Sequence, residues 1–124
     1  MMKTIAAAAS LFSVSQAAAA VPASKVCVTN SGGYDLKWWF DDLITGITSP
    51  DSGAYPIDKT RCMDVAGSLY DLNQGDLIEV MVHAVAGVTK SADTAIFYQA
   101  SPAVTQTFTC NGTTLNFTCR LNGE

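Results

Sequence analysis

Apolar and polar side chains alternate along most of the chain after residue 20, and this period of two is typical of β-strands. In the segment 34–41 every second residue is large and apolar, namely Tyr34, Leu36, Trp38 and Phe40. The pattern predicts seven strands, over residues 25–30, 34–41, 60–65, 76–86, 94–100, 104–110 and 115–121. Clusters of Gly, Pro, Asn and Ser separate them. The sequence therefore predicts an all-β fold, an antiparallel two-sheet sandwich or a small barrel.

The intervals between these strands carry weaker signals. Residues 68–75 fit either one helical turn or a loop, and residues 87–93 read as a turn. Both faces of the segment 76–86 carry apolar side chains, which indicates a strand in the middle of its sheet.

Residues 1–20 have the pattern of a secretory signal peptide. Lys3 precedes a short apolar, alanine-rich run, and the small residues Ala18 and Ala20 precede the expected cleavage point before Val21. The alternative is a membrane anchor, but the apolar run is shorter than the roughly 20 residues that cross a bilayer. We therefore predict a signal peptide over residues 1–20, one secreted domain over 21–124, and no transmembrane segment.

Composition excludes several classes of function. The chain has 124 residues, of which 48% are hydrophobic and 15% charged, with a formal net charge of −4. This length fits one small domain. The acidic balance argues against a nucleic-acid partner, since few side chains could neutralise phosphates.

The four cysteines predict two disulfide bonds, because secretion places them in an oxidising compartment. Three pairings are open to four cysteines. Cys27 and Cys62 both lie opposite the apolar face of their strands, whereas Cys110 and Cys119 both lie on it. Partners on one face of a sheet can reach each other, so we predict Cys27–Cys62 and Cys110–Cys119.

The segment between Cys110 and Cys119 contains conflicting signals. Asn111-Gly112 is a strong two-residue turn signal, but a hairpin there would hold Cys110 far from Cys119. We therefore predict an open loop. Asn111 and Asn116 each begin an N-glycosylation triplet, and Asn111 in a loop is the better acceptor of the two, which would make the protein a glycoprotein.

The sequence lacks the residues of common catalytic centres. It contains one histidine, His83, and Glu79 four residues earlier on the same strand face would lie about 13 Å away, too far for a hydrogen-bonded pair. It contains no nucleophile elbow, phosphate-binding glycine loop or dinucleotide fingerprint. We therefore expect no enzyme, although composition does not exclude a pair of carboxylates for glycoside hydrolysis.

Candidate ligand-binding residues lie within the sequence Trp38-Trp39-Phe40-Asp41-Asp42 and in the loop that follows it. Adjacent strand residues point to opposite faces, so Trp39 is expected outside if Trp38 lies in the core. Trp39 with Asp41, Asp42 and Tyr55 would form a contact region with the loop 45–58, suited to stacking on a sugar. Alternatively, Trp39 packs under the loop 48–55 as part of a small apolar cluster.

No cofactor is expected, with Ca²⁺ as a weaker alternative. Four acidic residues flank one strand end and the loop after it, and carboxylate oxygens are the ligands that Ca²⁺ requires: Asp41, Asp42, Asp51 and Asp58. Their spacing fits no EF-hand, and the competing interpretation is a solvated acidic rim.

Several short segments together carry a resemblance to known proteins. They are Cys27-Val28-Thr29-Asn30, Gly33-Tyr34-x-Leu36-x-Trp38, Tyr55-Pro56-Ile57-Asp58, Thr60-Arg61-Cys62, Gly75-Asp76-Leu77 and Cys110-x-Gly112-Thr113-Thr114-Leu115 with Cys119. With them the chain resembles small secreted, disulfide-containing proteins of unassigned function from unicellular algae. The resemblance spans nearly all of residues 21–124 and implies no activity or binding residue.

These observations favour a secreted, non-enzymatic binding domain that recognises an extracellular glycan or a surface protein. The alternative is a structural cell-surface or matrix protein that self-associates through edge strands. A membrane-active protein is disfavoured, because anionic lipids would repel the acidic chain.

Overall fold

The computed structural model describes residues 20–123, so the predicted signal peptide lies outside the described residues except for Ala20. The described part contains nine strands: β1 (Val21–Ala23), β2 (Lys25–Asn30), β3 (Leu36–Asp42), β4 (Thr60–Asp64), β5 (Leu77–Ala84), β6 (Thr89–Ser91), β7 (Ile96–Tyr98), β8 (Thr105–Thr113) and β9 (Asn116–Leu121). One short helix, α1 (Val65–Ser68), follows β4. No helix in residues 20–123 is long and apolar enough to span a bilayer.

The strands form two sheets that pack face to face, which confirms the predicted all-β sandwich. The five-stranded sheet has the order β1-β7-β5-β3, with β6 also paired to β5, and the four-stranded sheet has the order β4-β2-β8-β9. The sheets are mixed rather than purely antiparallel, because β1 pairs with β7 and β2 with β8 in parallel. The strand β5 is central, as its two apolar faces predict.

Alternation places one face of each sheet in a common core. In β3 the inward residues Leu36, Trp38 and Phe40 are fully buried, and Val26 and Val28 of β2 face them from the other sheet. Burying apolar surface at roughly 25 cal/mol per Å² makes this shared core the main source of stability.

Both predicted disulfides are present. Cys27–Cys62 and Cys110–Cys119 each join directly opposed residues, with 4.0 Å between the Cα atoms. Cys110 and Cys119 lie in the core, whereas Cys62 is exposed, in agreement with the faces assigned from the sequence.

The open loop expected after Cys110 is wrong. The strands β8 and β9 form a tight hairpin that reverses at Thr114 and Leu115, and Asn111-Gly112 lies inside β8. Cys110 lies opposite Cys119 in this register. The chain therefore reverses at Thr114 and Leu115, beyond the Asn111-Gly112 turn signal. Gly112 adopts a φ of 122° within the strand.

The outer edge of β3 is covered by residues 47–55. Ser49 and Ser52 of this segment form hydrogen bonds with the edge of β3. Their backbone N–H groups donate to the carbonyls of Phe40 and Trp38, at 2.9 and 2.8 Å. In return, their hydroxyls accept from the N–H groups of Phe40 and Trp38, at 2.9 and 3.1 Å. This edge therefore has few free backbone groups to offer another strand.

Asp93 joins the two sheets at the outer edge of β9. Its backbone N–H donates to the carbonyl of Cys119 at 2.9 Å, and its carboxylate accepts from the N–H of Leu121 at 3.0 Å. Nearby, the N–H of Val88 donates to the carbonyl of Thr114 at 3.0 Å. The sandwich is thus partly closed on this side.

Candidate functional site

The outer surface of the five-stranded sheet carries Trp39. Because β3 alternates, the residues between its buried positions point away from the core and are partly exposed. The antiparallel register pairs each of them with an outward residue of β5, which is also partly exposed. We call the six residues of these three pairs the Trp39 face: Lys37 with His83, Trp39 with Met81, and Asp41 with Glu79.

The pairs of the Trp39 face differ in charge along the strands. Asp41 accepts a hydrogen bond from the Thr48 hydroxyl at 2.8 Å and lies directly opposite Glu79. Lys37 forms an ion pair with Asp51 at 3.7 Å, the one salt bridge found within residues 20–123. Neither Asp41 nor Glu79 has a basic ion-pair partner within residues 20–123.

Hydroxyl groups border the Trp39 face on the side of β6. Thr89 pairs with His83 and Ser91 with Met81, and both are exposed. The Nδ1 atom of His83 lies 2.9 Å from the Thr89 hydroxyl oxygen. An aromatic ring surrounded by hydroxyls and carboxylates offers both stacking and hydrogen bonding to a ligand.

Asp42, predicted to contact a ligand, is instead buried at 1% exposure, because alternation carries it to the inner face. Its Oδ1 atom accepts hydrogen bonds from the N–H groups of Ile44 and Thr45, at 2.9 and 3.1 Å. Burial acts to raise the pKa of this carboxyl group, but the hydrogen bonds from the backbone of the turn outweigh it and lower the pKa. Asp42 therefore stabilises the turn after β3 rather than facing solvent.

Tyr55, the other predicted contact residue, is also buried, at 1% exposure. Its backbone pairs with Leu36, and its hydroxyl donates to the carbonyl of Val28 at 2.6 Å. Burial raises the pKa of the hydroxyl. The guanidinium of Arg61 lies over the ring, 5.2 Å from its centroid. Of the four residues predicted to contact a ligand, only Trp39 and Asp41 are on the surface.

The four acidic residues considered for Ca²⁺ are not brought together. Asp41 bonds to Thr48, Asp42 is buried, Asp51 pairs with Lys37, and Asp58 is exposed beyond the segment that covers β3. Residues 20–123 contain no cluster of three or more acidic, His or Cys side chains that could hold a metal ion.

The other sequence candidates fall on two different faces. His83 and Glu79 lie four residues apart on the outer face of β5, as expected, and residues 20–123 form no pocket. Asn111 and Asn116 are both exposed on the four-stranded sheet. Asn111 lies within β8 rather than in a loop, which removes the reason for preferring it as the glycosylation acceptor.

The sequence did not reveal that Met81 is the neighbour of Trp39. Alternation places both residues on outward faces, but the pairing of β3 with β5 depends on the strand order, which local patterns do not contain. Comparison of the chain with protein-family models, curated protein sequences and solved structures finds no match.

Proposed function

We propose that this protein is an extracellular, non-enzymatic binding domain that recognises a glycan through the Trp39 face. The proposal rests mainly on one observation: a partly exposed tryptophan lies in the middle of the outer sheet surface, opposite Met81 and between polar pairs. A flat indole surface stacks on the apolar face of a sugar ring. Carboxylates accept hydrogen bonds from sugar hydroxyls, and protein hydroxyls both donate and accept them.

The two disulfides support the extracellular setting. Disulfides persist in oxidising compartments, and none of the cysteines in residues 20–123 is free. The signal peptide stays a prediction. N-terminal sequencing of the protein from a secreting host is expected to begin at Val21 or within two residues of it, and an intact Met1 would contradict secretion by this route.

Self-association through edge strands is the less favoured function. The edge of β3 is occupied by residues 47–55, and Asp93 engages the backbone of β9. The edge strands β3 and β9 are therefore already hydrogen-bonded along their outer sides within the domain. Sedimentation over a range of concentrations is expected to show a constant mass; a mass that rises with concentration would favour the structural role.

A glycan array tests the proposal, with Trp39→Ala as the main variant. We expect the wild-type domain to bind at least one glycan class and Trp39→Ala to lose that binding, because the stacking surface is removed. Tyr70→Ala is the matched control, since Tyr70 is an aromatic residue 72% exposed in the loop between α1 and β5. Equal binding by wild type and Trp39→Ala, or none by either, would refute the proposal.

A further inference from the structure

The Trp39 face is negatively charged on one side of the indole. Asp41 and Glu79 are directly opposed across β3 and β5, a position in which like charges destabilise a sheet. The Thr48 hydroxyl contributes a hydrogen bond to Asp41 but no charge. An arrangement that costs stability in the free domain is relieved when a positive group binds between the two carboxylates.

The charges on the rest of the domain act in the same direction. Lys37, on the other side of Trp39, forms its ion pair with Asp51 rather than with Asp41 or Glu79. Six basic and eleven acidic side chains follow residue 20, which gives that part of the chain a net charge of −5. Such a field attracts cations and speeds their association.

The neutral groups around Trp39 favour a sugar over a basic peptide as the carrier of the positive charge. Thr48, Thr89 and Ser91 are exposed and place hydroxyls around the face. These groups match the hydroxyls of a pyranose ring that stacks on the indole. No pocket is present within residues 20–123, so a ligand at the Trp39 face would lie on the open surface of the sheet.

We propose that the glycan recognised at the Trp39 face is an amino sugar with free amines, whose ammonium group binds between Asp41 and Glu79 while its ring stacks on Trp39. This inference rests on the proposed function and adds the chemical class of its ligand. The carboxylates accept charge-assisted hydrogen bonds from the ammonium group, which are stronger than bonds between neutral groups.

Calorimetric titration with two glucosamine oligomers of equal length, one with free amines and one fully N-acetylated, tests the inference. Both carry the same ring, and only the first is charged. We expect the free-amine oligomer to bind at least about tenfold more tightly, because one charge-assisted bond is worth that ratio. Added salt is expected to weaken the binding of the free-amine oligomer alone.

Glu79→Gln is the main variant, since the amide keeps the shape of the side chain and removes its charge. We expect it to lose about tenfold in affinity for the free-amine oligomer and to leave the melting temperature equal or higher, because a like-charge pair is relieved. A purely structural role of Glu79 would lower both. Asp64→Asn, which removes one charge from an exposed position on β4 of the other sheet, is the control and is expected to bind like wild type.

The outcomes separate this inference from the proposed function. Equal binding of both oligomers, sensitive to Trp39→Ala, would overturn the amine specificity and leave glycan binding in place. Binding of polylysine but of neither oligomer would overturn the inference and indicate a basic protein partner. If neither these oligomers nor any array glycan binds, both proposals fail.

Discussion

The hydroxyl of Tyr55 donates a hydrogen bond to the backbone carbonyl of Val28 over 2.6 Å, and so connects the segment that covers β3 to the opposite sheet. Tyr55→Phe is expected to lower the free energy of unfolding by about 1–2 kcal/mol, because a buried bond is lost without a change in shape. Urea denaturation measures the difference.

Tyr34→Phe is the matched control for this change. The hydroxyl of Tyr34 is buried without a hydrogen-bond partner among residues 20–123. Removing it is expected to leave stability within about 0.5 kcal/mol of wild type or to raise it, since an unsatisfied polar group is removed. A Tyr34→Phe loss as large as that of Tyr55→Phe would show that ring packing, rather than the bond to Val28, accounts for the effect.

Gly112→Ala is expected to destabilise the β8–β9 hairpin by roughly 2 kcal/mol. The φ of Gly112 is 122°, and a Cβ atom there would lie 2.5 Å from the carbonyl oxygen of Asn116 and 2.7 Å from the Cα atom of Phe117. Gly33→Ala is the control, because nothing lies within 4 Å of its added Cβ. Thermal unfolding compares the two variants, and equal melting temperatures would contradict the strain at residue 112.

The two disulfides are expected to contribute differently to the free energy of unfolding. Cys27 and Cys62 are 35 residues apart, whereas Cys110 and Cys119 are 9 apart. The chain-entropy relation gives about 3.8 kcal/mol for the first and about 2.6 kcal/mol for the second. Replacing each pair by Ala and measuring denaturant unfolding tests both contributions, and the loss for Cys110–Cys119 also includes the packing of its buried side chains. Peptide mapping without reduction checks the pairing, and a fragment joining Cys27 to Cys110 would contradict it.

Protonation of Asp42 is expected to lower the free energy of unfolding in acid. The pKa of Asp42 in the fold lies below its ordinary value of 3.8, so between the two values the unfolded chain binds more protons than the folded chain. The contribution of this carboxylate is complete above about pH 5 and is lost as the pH falls below 3.8 toward the folded pKa. Asp42→Asn is expected to be less stable near neutral pH and to lose less stability on acidification.

Asp35→Asn, at an exposed position, provides the comparison for this pH profile. It is expected to retain the wild-type loss of stability between pH 5 and the acid limit. The assignment to Asp42 would be wrong if Asp42→Asn and wild type lost stability in parallel over the same range.

Alternation in the sequence was sufficient to predict the layers of the fold and both disulfides. Leu36, Trp38 and Phe40 enter the core together because their spacing leaves no other common face, and the same parity pairs Cys27 with Cys62. Local turn chemistry was less reliable, since the register set by Cys110 and Cys119 overrode the Asn111-Gly112 signal.

Long-range pairing explains what the sequence did not reveal. The three-residue strands β1 and β6 are too short to show a period, and each forms by pairing with a strand elsewhere in the sheet, β1 with β7 and β6 with β5. Tyr55 was expected at the surface because it lies in a loop, but pairing with Leu36 draws it into the core. Asp42 continues the alternation of β3 inward, and its turn bonds make that burial tolerable.

The two parallel pairings have a consequence for synthesis. They join residues 21–30 to residues 96–110, so the first segment of the domain to be translated needs one of the last as its neighbour. Neither sheet is complete until β7 and β8 have left the ribosome, and β1 and β2 wait without their parallel partners until then. A chain that stops before β7 is therefore expected to expose the apolar residues of β2 and to be degraded or to aggregate rather than to fold.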